Sequence, residues 1–292
     1  MIFDLLTRIT KWTHGDVQRR KAKISFSEME TRAKRMPPPK DFAEALARDG
    51  FGLIAEIKVE SPSLGLMRPE NVAEAPFTYE AHPLVRAVSV LTSKKFFGMG
   101  IDDLWRLRQS ITKPILCKDF ILEEYQIAEA RSVGADAVLL MAHVLPEEKL
   151  SRLLDYCRSL GMEALVETRN QSEIARLPKN VRVVGINSRK LDTSGLSMRY
   201  AVSRLIGRDL SPLPKRFDLI PLLPRGSVKI AESGIGVSTI ASVRDQGWNA
   251  ALIGASILRD KRGIKVCLDE MQGALATNTE RSSADALRPH FA

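Results

Sequence analysis

The chain has 292 residues, 44% apolar and 27% charged, with a net charge of +9, the composition of one large globular domain that can bury its own core. Three cysteines (Cys117, Cys157, Cys267) lacking CxxC spacing argue against a disulfide framework and against a zinc site, and fit a reducing compartment. Lys and Arg are scattered, the longest run being Arg19-Arg20-Lys21, so an anionic small molecule accounts for the charge better than nucleic acid does.

The opening MIFDLLTRITKW is amphipathic and lacks the charged start, apolar run and cleavage site of a signal peptide. No stretch approaches the ~18 apolar residues of a spanning helix. Both features predict a cytoplasmic protein with no membrane partner. Residues 1–48 read as helical, with a charged middle RRKAKISFSEMETRAKRM broken at Pro37-Pro38-Pro39. Asp41 can cap a further helix running to about Asp49. This extension (1–50) is too short for a core of its own and reads as a lid or base within a single domain of residues 1–276.

From Phe51 the pattern changes. Short apolar runs recur near 52–57, 86–91, 114–117, 136–141, 163–167, 181–186, 228–231 and 250–254. Helical patterns such as EEYQIAEARSVG and EEKLSRLLDYCRSLG lie between most of them, several ending in glycine (Gly134, Gly161, Gly247). Eight strand–helix repeats in one domain predict an α/β fold, a (β/α)₈ TIM barrel with an N-terminal helical extension, rather than an open doubly wound sheet. No GxGxxG follows the first run, which weakens a dinucleotide-binding alternative. The Pro-rich stretch 204–227 reads as an extended loop before the seventh strand, functional or merely tolerated. The polar, aperiodic TNTERSSADALRPHFA sets the end of the domain at 276 and a flexible tail at 277–292.

In a parallel barrel the reacting groups sit where strands end. The first run ends Glu56-Ile57-Lys58, and period two puts Glu56 and Lys58 on the interior side. The third ends in Lys118-Asp119, the fifth in Glu167, the sixth in Asn187, followed by Ser188-Arg189, and the seventh in Glu232-Ser233-Gly234. Two lysines and two glutamates at one rim read as a catalytic cluster, against the alternative of a structural ion-pair network. A second lysine nearby is expected to lower the pKa of the first through like-charge repulsion. Ser233-Gly234 and Gly254-Ala255-Ser256 close the last two strands, the position where barrels bind phosphate through backbone N–H groups; ordinary tight turns are the other reading. Phe96-Phe97 reads either as the wall of an apolar pocket for an aromatic ring or as core. His14, His82, His143 and His290 lack metal-ligand spacing, and Cys117 reads as core.

AEIKVESPSLG, VSVLTSKKFFG, PILCKDFILEEYQIAEARSVGADAVLL, GINSRKL, AESGI and LIGAS, in order across about residues 17–275, resemble the indole-3-glycerol-phosphate synthase family. The resemblance implies decarboxylating, dehydrating ring closure of 1-(2-carboxyphenylamino)-1-deoxyribulose 5-phosphate in tryptophan biosynthesis. Lys118 resembles the general acid that protonates the ribulose carbonyl, and Glu167 the acid/base for loss of the hydroxyl. Lys58 resembles the lysine that engages the substrate's anionic groups and is a second candidate acid. Glu56 and Asn187 resemble positioning partners, Ser61 and Arg189 contacts near the anthranilate carboxylate, and Ser233, Gly234, Gly254 and Ala255 the phosphate cradle. No cofactor or metal is implied; the partner is a small anionic phosphosugar, and loose association with other tryptophan-pathway enzymes is compatible with it.

The chain departs from the family's pattern at Val59 and Leu64, where a basic residue and a lysine are usual. It departs again at Gly98-Met99-Gly100, at the approach His82-Pro83-Leu84-Val85-Arg86, and at Thr168-Arg169 after Glu167. These departures bear on loop dynamics and turnover. They also keep in view a related phosphate-binding barrel acting on another phosphosugar, isomerase-like, while the net charge of +9 keeps in view a non-catalytic barrel binding an anionic partner or RNA.

Overall fold

The structure, a computed structural model, describes residues 5–188 and 217–286. Arg189, most of the Pro-rich stretch and residues 287–292 lie outside the described residues. Eight strands form the barrel: β1 (Gly52–Ile57), β2 (Val85–Leu91), β3 (Ile115–Lys118), β4 (Ala137–Met141), β5 (Glu163–Thr168), β6 (Val183–Asn187), β7 (Val228–Glu232) and β8 (Ala250–Ile253). Every neighbouring pair is parallel, and β1 pairs with both β2 and β8, which closes the sheet. The eight apolar runs of the sequence are these strands, displaced by a residue or two at their ends.

Alternation along each strand sorts the side chains into two layers. Ile54, Leu116, Leu139, Leu165, Val183, Ile230 and Leu252 fill the barrel interior. Their neighbours Leu53, Ala55, Ile115, Cys117, Ala164, Val166, Ala231 and Ala251 pack outward under the helices. The parity therefore carries Glu56, Lys58, Lys118, Glu167 and Asn187 to the inner side at the C-terminal rim.

The N-terminal extension forms α1 (Leu5–Lys23), α2 (Phe26–Arg35) and α3 (Phe42–Ala47). Asp41 caps α3 as its sequence predicts, accepting the Glu44 N–H at 2.9 Å. Phe42, Ala43 and Leu46 of α3 then pack with the interior layer and form its base. Val17, Met29 and Ala33 of the first two helices bury against Tyr125 and Ala128 of the helix after β3. α1 also reaches the opposite rim: Trp12 meets Phe96 edge to face with centroids 5.5 Å apart, and Lys95 Nζ lies 5.3 Å from the Trp12 ring. The extension is thus both base and lid.

The outer helices are α4 (Pro69–Ala81), α5 (Lys94–Phe97), α6 (Ile101–Arg108), α7 (Glu124–Ser132), α8 (Glu147–Ser159), α9 (Gln171–Ala175), α10 (Ile240–Asp245), α11 (Ala255–Leu258) and α12 (Ile264–Ala286), with a 3₁₀ turn at Phe217–Leu222. Gly134, Gly161 and Gly247 end helices in the left-handed conformation, as expected. α12 runs to Ala286, ten residues beyond the boundary read from composition; once nucleated by its packed first turns, a helix extends at little cost through polar residues. All three cysteines are free and buried. Among the described residues no helix is long and apolar enough to cross a membrane.

Candidate active site

A cavity of about 1140 Å³ opens at the C-terminal rim. Its walls include Glu56, Lys58, Phe97, Lys118, Glu167, Asn187, Ser233, Gly234, Gly254 and Ala255, contributed by the ends of six strands and by α5 and α11. Ten of the twelve site residues expected from the sequence thus line one space. Ser61 does not: it is buried in the short hairpin after β1, where its Oγ accepts the Leu64 N–H at 3.1 Å. Its hydroxyl shapes the loop rather than the wall. Arg189 lies outside the described residues. Leu64, at one of the departures from the family pattern, lines the cavity with an apolar side chain.

Glu56 is the hub. Its two carboxylate oxygens face Lys58 Nζ on one side and Lys118 Nζ, at 3.2 Å, on the other. Burial alone pushes the Glu56 carboxyl up, but the two ammonium groups outweigh it and hold the pKa at about 2. Lys118 is 3.6 Å from Oε2 of Glu232 as well. Burial lowers the affinity of Lys118 for its proton, yet Glu56, Glu232 and Glu167 together raise it above the ordinary lysine value. This reverses the expectation of a lowered pKa. The two lysines are not an isolated like-charge pair, because the Glu56 carboxylate sits between them and Glu232 backs Lys118.

Glu232 is the residue that sequence reasoning passed over. It ends β7 on the inward parity, 1% exposed, beneath the mouth. Burial and the neighbouring Glu167 push its pKa up to about 8 against the pull of Lys118. The signal was present: the seventh apolar run ends in a glutamate, as the fifth does. Gly185 on β6 makes room for it, since any Cβ there would collide with the Glu232 carboxylate. Glu167 in turn accepts Asn187 Nδ2–H at 3.1 Å, and Asn187 Oδ1 accepts the Ser233 hydroxyl at 2.9 Å. A continuous polar chain therefore runs from the acid/base candidate to the end of β7.

That end is strained. Ser233 has φ +72° and Gly234 φ +71°. A left-handed serine costs roughly 1–3 kcal/mol and persists where the surroundings impose it. Here the Ser188 hydroxyl donates to both the Glu232 and Ser233 carbonyls. Gly254 precedes α11 and lies against Glu56, where a Cβ would meet the carboxylate. A small residue is required at this corner by its close approach to Glu56.

A closed parallel barrel with ion-paired lysines and buried carboxylates around a single mouth is the architecture of a barrel enzyme acting on an anionic substrate. The profile of the family described as "Indole-3-glycerol phosphate synthase" matches residues 6–266. The indole-3-glycerol phosphate synthase of Mycobacterium leprae (strain Br4923) is 37% identical over 261 residues, covering 87% of this chain and 89% of its own. That of Mycolicibacterium smegmatis is 36% identical over 260 residues, with 87% and 89% covered. Among solved structures, 3-hexulose-6-phosphate synthase from Salmonella typhimurium superposes with a TM-score of 0.57 at 13% identity, over 77% of this chain and 99% of that one, a likeness of fold alone. This chain belongs to the indole-3-glycerol phosphate synthase family. Its activity is accordingly that of a carboxy-lyase in tryptophan biosynthesis, acting on a phosphorylated small molecule.

Proposed function

We propose that the mouth closes the indole ring with Lys118 as the principal proton donor and Glu167 as the later acid/base. The observation that carries this reading is the position of Lys118, its ammonium held between Glu56 and Glu232 at the wall of the cavity. In the first step the carboxylate-bearing ring carbon forms a bond to the ribulose carbonyl carbon. The carbonyl π electrons move to oxygen, which takes a proton from Lys118. A lysine with a raised pKa is protonated throughout the neutral range. The developing alkoxide is more basic still, so transfer remains downhill, and before transfer the ammonium stabilises the growing charge. The C–CO₂ bond then breaks and returns its electrons to the ring. Loss of the hydroxyl as water comes next, with Glu167 giving the leaving oxygen a proton, and removal of a proton from the adjacent methylene completes the pyrrole.

The remaining residues hold the reactants together, which can contribute much of the rate by fixing a near-attack geometry. Lys58 engages the anionic groups, Glu56 orients both lysines, and Asn187 orients Glu167. Phe97 flanks the aromatic ring. Ser233, Gly234, Gly254 and Ala255 take the phosphate; the strained turn and the cramped Gly254 corner support that assignment. Arg189 is assigned to the substrate's anthranilate carboxylate on sequence alone, and Ser61 acts on that carboxylate only through the loop it shapes. The chain needs no cofactor for this chemistry, because the ring itself accepts the electrons released with CO₂. We place the enzyme in the cytoplasm, in keeping with three free buried cysteines.

The test is turnover. Purified chain mixed with the carboxyphenylamino-deoxyribulose phosphate should yield indole fluorescence, and Lys118→Ala should lower kcat by ~10²–10⁴-fold, the usual worth of a positioned proton donor. Conversion of phosphoribosylanthranilate instead, with none of its rearranged product, would overturn the reading in favour of an isomerase.

A further inference from the structure

His143 comes just after β4 and stands outside the roles assigned above. Its side chain is 2% exposed, and neither ring nitrogen has a hydrogen-bond partner among the described residues. Native interiors rarely leave both nitrogens of a buried ring unmatched. Nδ1 lies 3.9 Å from Oε1 of Glu167, about 0.7 Å beyond hydrogen-bond range. The other oxygen of that carboxylate is already held by Asn187. His143 is not part of the cavity wall, so it stands behind Glu167 rather than beside substrate.

We propose that His143 is a positioning residue for Glu167: its Nδ1–H closes onto Oε1 when substrate fills the mouth, fixing the carboxyl from both sides. The inference rests on the acid/base role of Glu167 proposed above. Burial, aided by the Arg169 and Arg176 cations, holds the imidazole pKa at about 3, so the ring is neutral at working pH. A neutral imidazole has one N–H and one lone pair. It can donate to Glu167 as a carboxylate and, after a tautomer change, accept from it as an acid. A protonated ring would lock the carboxylate in its charged form. An apolar side chain would fill the same space without burying two nitrogens, which is why packing alone does not account for a histidine here.

Other groups also act on Glu167 and must be counted in any pH experiment. They are Lys118 on β3, Glu232 on β7 and Asn187 on β6; the cations facing His143 are Arg169 after β5 and Arg176 after α9.

The experiment compares His143→Leu, His143→Asn and Glu167→Gln with wild type in kcat, KM and the pH profile of kcat. The asparagine amide occupies the place of Nδ1 and keeps a donor; leucine keeps bulk only. The expected result is a ~10–100-fold loss of kcat in the leucine variant, the equivalent of one charge-assisted hydrogen bond, with KM little changed. The kcat limb that Glu167→Gln abolishes should move to higher pH in the leucine variant and return in the asparagine variant. Equal kcat in both variants, or equal losses with an unmoved limb, overturns the proposal. If Glu167→Gln keeps full activity, the acid/base role itself fails, and this inference with it. Should the leucine variant not fold, imidazole ¹⁵N resonances of wild type with indole-3-glycerol phosphate bound decide the matter: a deshielded Nδ1–H supports the contact, and an unchanged one overturns it.

Discussion

Glu232 is a buried carboxyl whose protonation changes near neutral pH. Its folded pKa of about 8 stands above the ordinary 4.5. The folded protein therefore holds a proton that the unfolded chain releases over that interval. The stability associated with the neutral form is complete below about pH 4.5 and is lost as pH rises through about 8. Urea midpoints of wild type should fall over this window, and those of Glu232→Gln, which keeps the neutral form, should fall less; identical slopes would contradict the assignment. The residue scale is also where sequence reading reached its limit. Strand parity brought Glu56, Lys58, Lys118 and Glu167 to one rim. It could not say which lysine stands next to which carboxylate, because that depends on register between strands far apart in the chain. Lys118 was expected to be a weakened base, and the Glu56 carboxylate above all makes it a strengthened one.

Among the elements, the β8–α11 corner makes a tight demand. Gly254 leaves no room for a Cβ beside Glu56, whereas a Cβ on Gly273 in α12 would enter open space. Gly254→Ala should displace the Glu56 carboxylate and with it both lysines, lowering kcat by about 10-fold or more through misplacement. Gly273→Ala should leave kcat unchanged and raise stability by up to ~1 kcal/mol, the helix propensity difference. Steady-state kinetics and urea unfolding of the two variants provide the comparison; similar losses in both would remove the steric argument. The elements themselves were largely legible, since hydrophobic period fixes strands and glycines mark helix ends. The end of α12 was not, because helix propagation through polar residues leaves no periodic trace. The placement of Ser61 was also hidden, since a hydroxyl caps a turn or lines a wall with equal ease.

Across the whole molecule, the family match over residues 6–266 selects the first of the three readings that the sequence left in view. The N-terminal segment, read as lid or base, is both. α3 seals the interior layer from below, and α1 carries Trp12 to Phe96, next to the Phe97 that lines the cavity. One segment thus ties the bottom of the barrel to its rim. Sequence composition suggested an accessory to the barrel but not that it spans the barrel's height.

The three cysteines, each no more than 2% exposed, sit in three different elements: Cys117 on β3, Cys157 in α8 and Cys267 in α12. Burial pushes the thiols up, to about 12 for Cys117 and Cys267, so the native protein offers a maleimide no thiolate to attack. Each sulfur becomes a timer for the opening of its own neighbourhood. Mass-resolved alkylation should record whether the C-terminal helix detaches before the sheet, with Cys267 modified ahead of Cys117, or whether all three are modified together in one all-or-none event.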